Sequence, residues 1–199
     1  MNFYLYFLLF IIYSFTGWII EVICVSLIEK RFVNRGFMIG PYCPIYGVGG
    51  LASYLLLTPY YKRPFVLFLV AIVIFTILEY STSYLMEKMF KARWWDYSDK
   101  KYHINGRVSL DTMFQFGLLG SFSVYISTPF LLEILNNISS QFIFIIFSMV
   151  FLMFIIDLVI SIFVILKFVN NEKCLKKDST ETINKKVRMI LKDIFTFKF

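Results

Sequence analysis

Five carboxylates lie in or at the ends of stretches otherwise apolar enough to cross a bilayer: Glu21, Glu79, Glu87, Asp111 and Asp157. An ionisable group at membrane depth costs roughly 2.5–3.5 kcal/mol on insertion scales, so it is kept where it faces a bundle interior or a cavity. Groups placed there can bind a polar or charged ligand, carry protons, or pin helices together. Glu79, Ser83 and Glu87 recur every four residues, which sets them on one helical face. Arg107, Asp111 and Gln115 repeat the pattern, and Asp157 with Ser161 makes a shorter pair, so three spans are each expected to carry a polar stripe. The bases best placed to answer these carboxylates are Arg35 and Arg107, and each is expected to pair with one of Glu21, Glu79 and Asp111. The candidate substrate-binding set is therefore Glu21, Asn34, Arg35, Glu79, Arg107 and Asp111. Asp157, distant from the others in sequence, is expected to be a pin or a subunit contact.

The element that must position these charges is the segment 34–50, which holds five of the nine glycines and two of the five prolines. Pro41 and Pro44 each remove a backbone donor and disfavour helix at the residue before them. Broken backbone at membrane depth survives only where protein or a water-filled cavity satisfies its polar groups. Gly40, Pro41, Pro44, Tyr46 and Gly47 are thus expected to line a cavity, either as a re-entrant loop or as a kinked span. Trp95 and Asp96 are assigned to the same lining. The aromatic run Trp94-Trp95-Asp96-Tyr97 either marks a membrane interface or folds back as a lid. His103 is the only histidine, and the three cysteines show no metal-ligand spacing, so no metal, cofactor or catalytic residue is assigned.

Composition sets the surroundings. Of 199 residues 59% are hydrophobic, with a mean hydropathy of +0.72, which places the chain among integral membrane proteins, with membrane lipid as its constant partner. The fold class expected is all-α with about five transmembrane helices over 3–28, 38–59, 65–87, 108–131 and 141–167, the second broken by glycine and proline. Residues 1–169 form the polytopic domain and 170–199 a cytoplasmic tail. Lys and Arg number three, two, six and none in the four loops and nine from Lys167, at the end of the last span, to the C-terminus. The excess on one side predicts an N-terminus outside and a C-terminus in the cytoplasm, and it explains the net charge of +7 without nucleic acid. Within the tail, Ile183, Val187, Ile190, Leu191 and Ile194 recur at helical spacing among basic residues, as in a helix that lies on anionic lipid or docks a cytoplasmic partner. The first span carries no basic leader or cleavage signal and is expected to be retained.

Several pieces resemble the membrane family labelled putative ABC-transporter type IV, found mainly in Gram-positive bacteria. They are Tyr13-Ser14-Phe15-Thr16-Gly17-Trp18 with Glu21, Phe32-Val33-Asn34-Arg35-Gly36-Phe37, and Gly40-Pro41-Tyr42-Cys43-Pro44-Ile45-Tyr46-Gly47. Leu78-Glu79, Glu87, Trp94-Trp95-Asp96-Tyr97-Ser98 and Asn105-Gly106-Arg107 continue the match. The resemblance implies a multi-pass protein of the bacterial plasma membrane and a permease or transporter component; the charges within the spans add the expectation that it moves or binds a small polar or anionic substrate. No GxxxxGK[ST] loop is present, so such a permease needs a separate ATPase subunit, and five short spans require a homo- or hetero-oligomer to enclose a pathway. Two other classes stand beside it. One is a membrane-embedded enzyme acting on a lipid or isoprenoid headgroup, although HExxH and GxSxG motifs are absent. The other is a structural or regulatory partner of another membrane protein.

Overall fold

The computed structural model describes residues 2–169 and 175–178. Four of its helices are long and apolar enough to cross a membrane: Phe3–Glu29, Pro64–Phe90, Leu110–Asn136 and Ser140–Lys167. We label them α1 (Phe3–Glu29), α3 (Pro64–Phe90), α4 with α5 (Leu110–Phe122 and Thr128–Asn136, joined by a π-turn at Ser123–Ser127) and α6 (Ser140–Val169). The architecture is all-α. Its short strands are β1 (Ala92–Arg93), β2 (His103–Ile104), β3 (Val108–Ser109) and β4 (Leu175–Asp178), with β1 parallel to β4 and β2 antiparallel to β3. The basic amphipathic segment expected at 183–198 lies outside the described residues.

The second expected span differs most from its reading. Residues 31–43 are coil, and helix begins only at Pro44 as α2 (Pro44–Ala52), continuing through a π-turn at Ser53–Leu57 and a 3-10 turn at Thr58–Tyr60. Proline at the first helical position, with no amide to satisfy, is a natural start. The coil does not stay outside the bundle. Cys43 donates its amide to the Ser14 carbonyl in the middle of α1 (2.9 Å). Ile39 donates to Ser161 Oγ (2.9 Å), and Gly40 donates to both carboxylate oxygens of Asp157 (3.0 and 3.1 Å). Asp157 and Ser161 on α6 therefore answer backbone donors that no helix serves. At Gly36 the backbone turns with φ of +109°, a conformation glycine adopts without strain.

Small residues let these elements approach closely. A side chain at Gly17 would collide with Tyr46, one at Gly47 with Ser14 and Phe10, and one at Gly50 with Tyr13, so α1 and α2 pack antiparallel with backbones near touching. Gly117 and Gly120 do the same for α4 against Phe68, Ile72 and Phe75 of α3. Phe7 of α1 meets Phe147, Phe151 and Phe154 of α6, with ring centroids 5.2–5.9 Å apart, and these two helices run parallel. The helix directions alternate along the chain. The basic segments around 30–35 and 91–107 therefore lie at one end of the bundle, and Lys62 and Arg63 at the other.

Candidate functional site

Near the basic end, the inward-folded coil, α1, α2, α3 and the 91–107 loop surround a cavity of about 270 Å³. Glu21, Arg35, Pro44, Tyr46, Glu79, Trp95 and Asp96 line it, together with Cys43, Tyr97 and Phe116. Glu21 is the better answered of its two intramembrane carboxylates. It accepts from the Tyr46 hydroxyl at 2.6 Å and pairs with Arg35 Nε at 3.6 Å. Asn34, beside Arg35, accepts from Trp18 Nε1 at 2.8 Å and lies outside the lining, where it fixes the coil to α1.

Glu79 is 3% exposed and has no cation within ion-pair distance among the described residues. Thr112 Oγ1 lies 3.2 Å from its Oε2, but the single hydroxyl proton of Thr112 also faces the Ser109 carbonyl at 2.9 Å. A threonine has one proton to give, so the carboxylate is served in part. Its other neighbour is Tyr97, from the loop. Burial first, and then the negative charges of Glu79 and Glu21, push the Tyr97 phenol above the ordinary tyrosine value, so it stays a neutral donor. In the sequence Tyr97 stands out only as a member of the aromatic run. The run folds back onto the helix ends, with Trp94 buried and Trp95 Nε1 donating to the Arg107 carbonyl at 2.9 Å.

Two pairings differ from expectation. Arg107 does not reach Glu79 or Asp111. Its Nη2 donates to Glu87 at 2.6 Å and its Nη1 to Ser83 at 3.1 Å, while Tyr80 and Tyr84 lie 5.7 and 5.5 Å from its guanidinium. Arg93 joins the same carboxylate at 2.8 Å and lies 3.6 Å from Asp96. Asp111 stands on the exposed face of α4, paired with Lys100 at 3.6 Å and away from the cavity. The physical reason is that α4 begins at Leu110, with Ser109 as its N-cap in a capping box with Thr112. Arg107 precedes the helix, so its four-residue spacing to Asp111 and Gln115 does not define a shared face. The inward face of α4 is Thr112, Phe116 and Gly120, a spacing of four that the sequence also contains.

Gly40, Pro41 and Gly47 are outside the lining, and two of them serve packing: Gly40 rests against Asp157, and Gly47 against α1. His103 accepts the Gly106 amide through Nδ1 at 3.0 Å and shapes the turn before β3. A second cavity, also about 270 Å³, adjoins the first and shares Ile45, Tyr46, Glu79 and Phe116 with it. Its remaining walls are mostly apolar. Several of its polar atoms form one cluster, with Tyr13 Oη 2.8 Å from Ser127, 2.6 Å from Thr128 and 3.0 Å from Ser123, while Thr16 and Ser53 donate to the Ile12 and Gly49 carbonyls. Among the described residues no group of His, Cys, Asp and Glu is arranged to hold a metal.

No curated protein and no solved structure matches the chain. The family model described as putative ABC-transporter type IV matches residues 8–162, a stretch that contains every residue of both cavities, and the chain belongs to that family.

Proposed function

We propose that the chain is the membrane permease of a bacterial plasma-membrane transport system, and that its polar cavity binds a small polar ligand. The observation that carries this is the convergence of Glu21, Arg35, Glu79 and Tyr97 on one cavity walled in part by non-helical backbone. Arg35, the one cation in the lining among the described residues, is paired with Glu21, and Arg107 nearby with Glu87, whereas Glu79 has a carboxylate to offer. Lacking a phosphate loop, the chain works with a separate ATP-hydrolysing subunit, and a second copy or partner chain completes the pathway. Positive charge at the end that holds the 91–107 loop sets that end in the cytoplasm, where such a subunit would dock.

Purification of the tagged chain from native membranes in mild detergent, with mass spectrometry of bound proteins and small molecules, tests this. The expected result is a stoichiometric ATPase retained by both wild type and Glu79→Gln, and a small molecule retained only by wild type. A chain that arrives alone, with small molecules unaffected by Glu79→Gln, overturns it.

A further inference from the structure

We propose that the ligand is an amphiphile with an ammonium head, which seats the head against Glu79 and its hydrocarbon chain in the adjoining apolar cavity. This rests on the polar cavity being a ligand site. The two cavities meet at Tyr46, Glu79 and Phe116, so one elongated molecule can lie across the boundary with Glu79 beside it on either side. Ile20, Leu119, Phe122 and Phe130 line the apolar cavity yet are 39–60% exposed, so that cavity opens sideways onto the face that lipid covers. Its hydroxyls are bonded, those of Tyr13, Ser123 and Ser127 within one cluster and those of Thr16 and Ser53 to the backbone carbonyls of Ile12 and Gly49, which leaves mostly hydrocarbon as the surface a guest meets.

Charge selects the head. Three carboxylates and one guanidinium line the polar cavity; Arg35 answers Glu21 and Arg93, from outside the lining, answers Asp96. Glu79 is what remains: buried, with hydrogen bonds from the hydroxyls of Tyr97 and Thr112, the latter shared with a backbone carbonyl, and no cation beside it among the described residues. An ammonium supplies the missing charge and three donors at once. Tyr46, Trp95, Tyr97 and Phe116 wall the same space, and aromatic walls suit a cation better than an anion. A sulfate or phosphate head would instead meet Glu79 and Asp96.

The test titrates methylammonium, hexylammonium and decylammonium, with decyl sulfate as control, into the full chain in phosphatidylcholine nanodiscs, with empty discs subtracted. Decylammonium is expected to bind, with Kd falling about fourfold per methylene from hexyl to decyl. Glu79→Gln should weaken it roughly thirtyfold. Glu79→Asp, which keeps the charge, should recover part of that loss and so separate lost charge from misfolding. Thr16→Trp, placed on the exposed side of α1 to fill the apolar cavity, should flatten the chain-length dependence. Decyl sulfate binding as tightly as decylammonium, or decylammonium binding indifferent to Glu79→Gln, overturns the proposal. Glu79-dependent binding of methylammonium with no gain from chain length overturns the amphiphile and leaves the polar-ligand site standing. If no ammonium binds, the amphiphile falls; if Glu79→Gln also leaves the co-purified small molecules unchanged, both fall.

Discussion

Two acidic groups on one face of α3, two helical turns apart, have opposite surroundings. Glu87 sits between Arg93 and Arg107 at 2.8 and 2.6 Å, and Ser83 and two tyrosine rings hold Arg107 in place. Glu79 is more deeply buried, is met by two neutral hydroxyls, those of Tyr97 and Thr112, and has no guanidinium beside it among the described residues. A satisfied network fixes the helix end to the 91–107 loop and has no valence left for a guest. An incompletely answered carboxylate costs the fold something and keeps a vacancy of charge, which is what a receptor group needs. The same face thus divides into a rivet and a binding group, and the difference lies in what the loop and α4 bring to each.

The largest effect is expected at the rivet. Arg107→Ala leaves Glu87 with one partner and strands Ser83 in a buried position, and it should cost about 1–3 kcal/mol, read as loss of monodisperse protein and a lowered melting temperature in detergent. Glu79→Gln should move stability the other way, by up to about 1 kcal/mol, because it removes a buried charge that lacks a counter-ion. If both substitutions destabilise the fold equally, the contrast between the two groups is lost. Smallest is Asp111→Asn, where an exposed pair with Lys100 is broken; it should change stability by less than about 0.5 kcal/mol and leave ligand retention intact.

Much of this contrast could be read from residue types. The four-residue spacing of Glu79, Ser83 and Glu87 places one face of α3 because all three fall inside a helix, and glycine with proline at 36–44 marks where helix fails. Arg107 misled for the complementary reason. It has the right spacing to Asp111, but a capping box at Ser109 starts the helix after it, and its partner is chosen by the fold of the loop. Tyr97 was hidden for a similar cause. An aromatic run beside basic residues has the composition of a membrane interface, and only the return of the chain over α3 turns one of its rings toward Glu79. The start of α2 at Pro44 was legible in the proline, while the docking of 39–40 on α6 depends on contacts 117 to 122 residues apart in sequence.

That last separation bears on how the protein is made. The amides of Ile39 and Gly40 find their acceptors only on Ser161 and Asp157, which leave the ribosome after four more helical segments. At 5–20 residues per second the wait is roughly 6–25 seconds. Throughout that interval the coil is either hydrated or held by the insertion machinery, so α1 and α2 reach their final seating only when α6 arrives. Chains that stall before residue 157 should therefore be the substrates of membrane quality control, and a nascent chain should gain protease resistance in one late step rather than helix by helix.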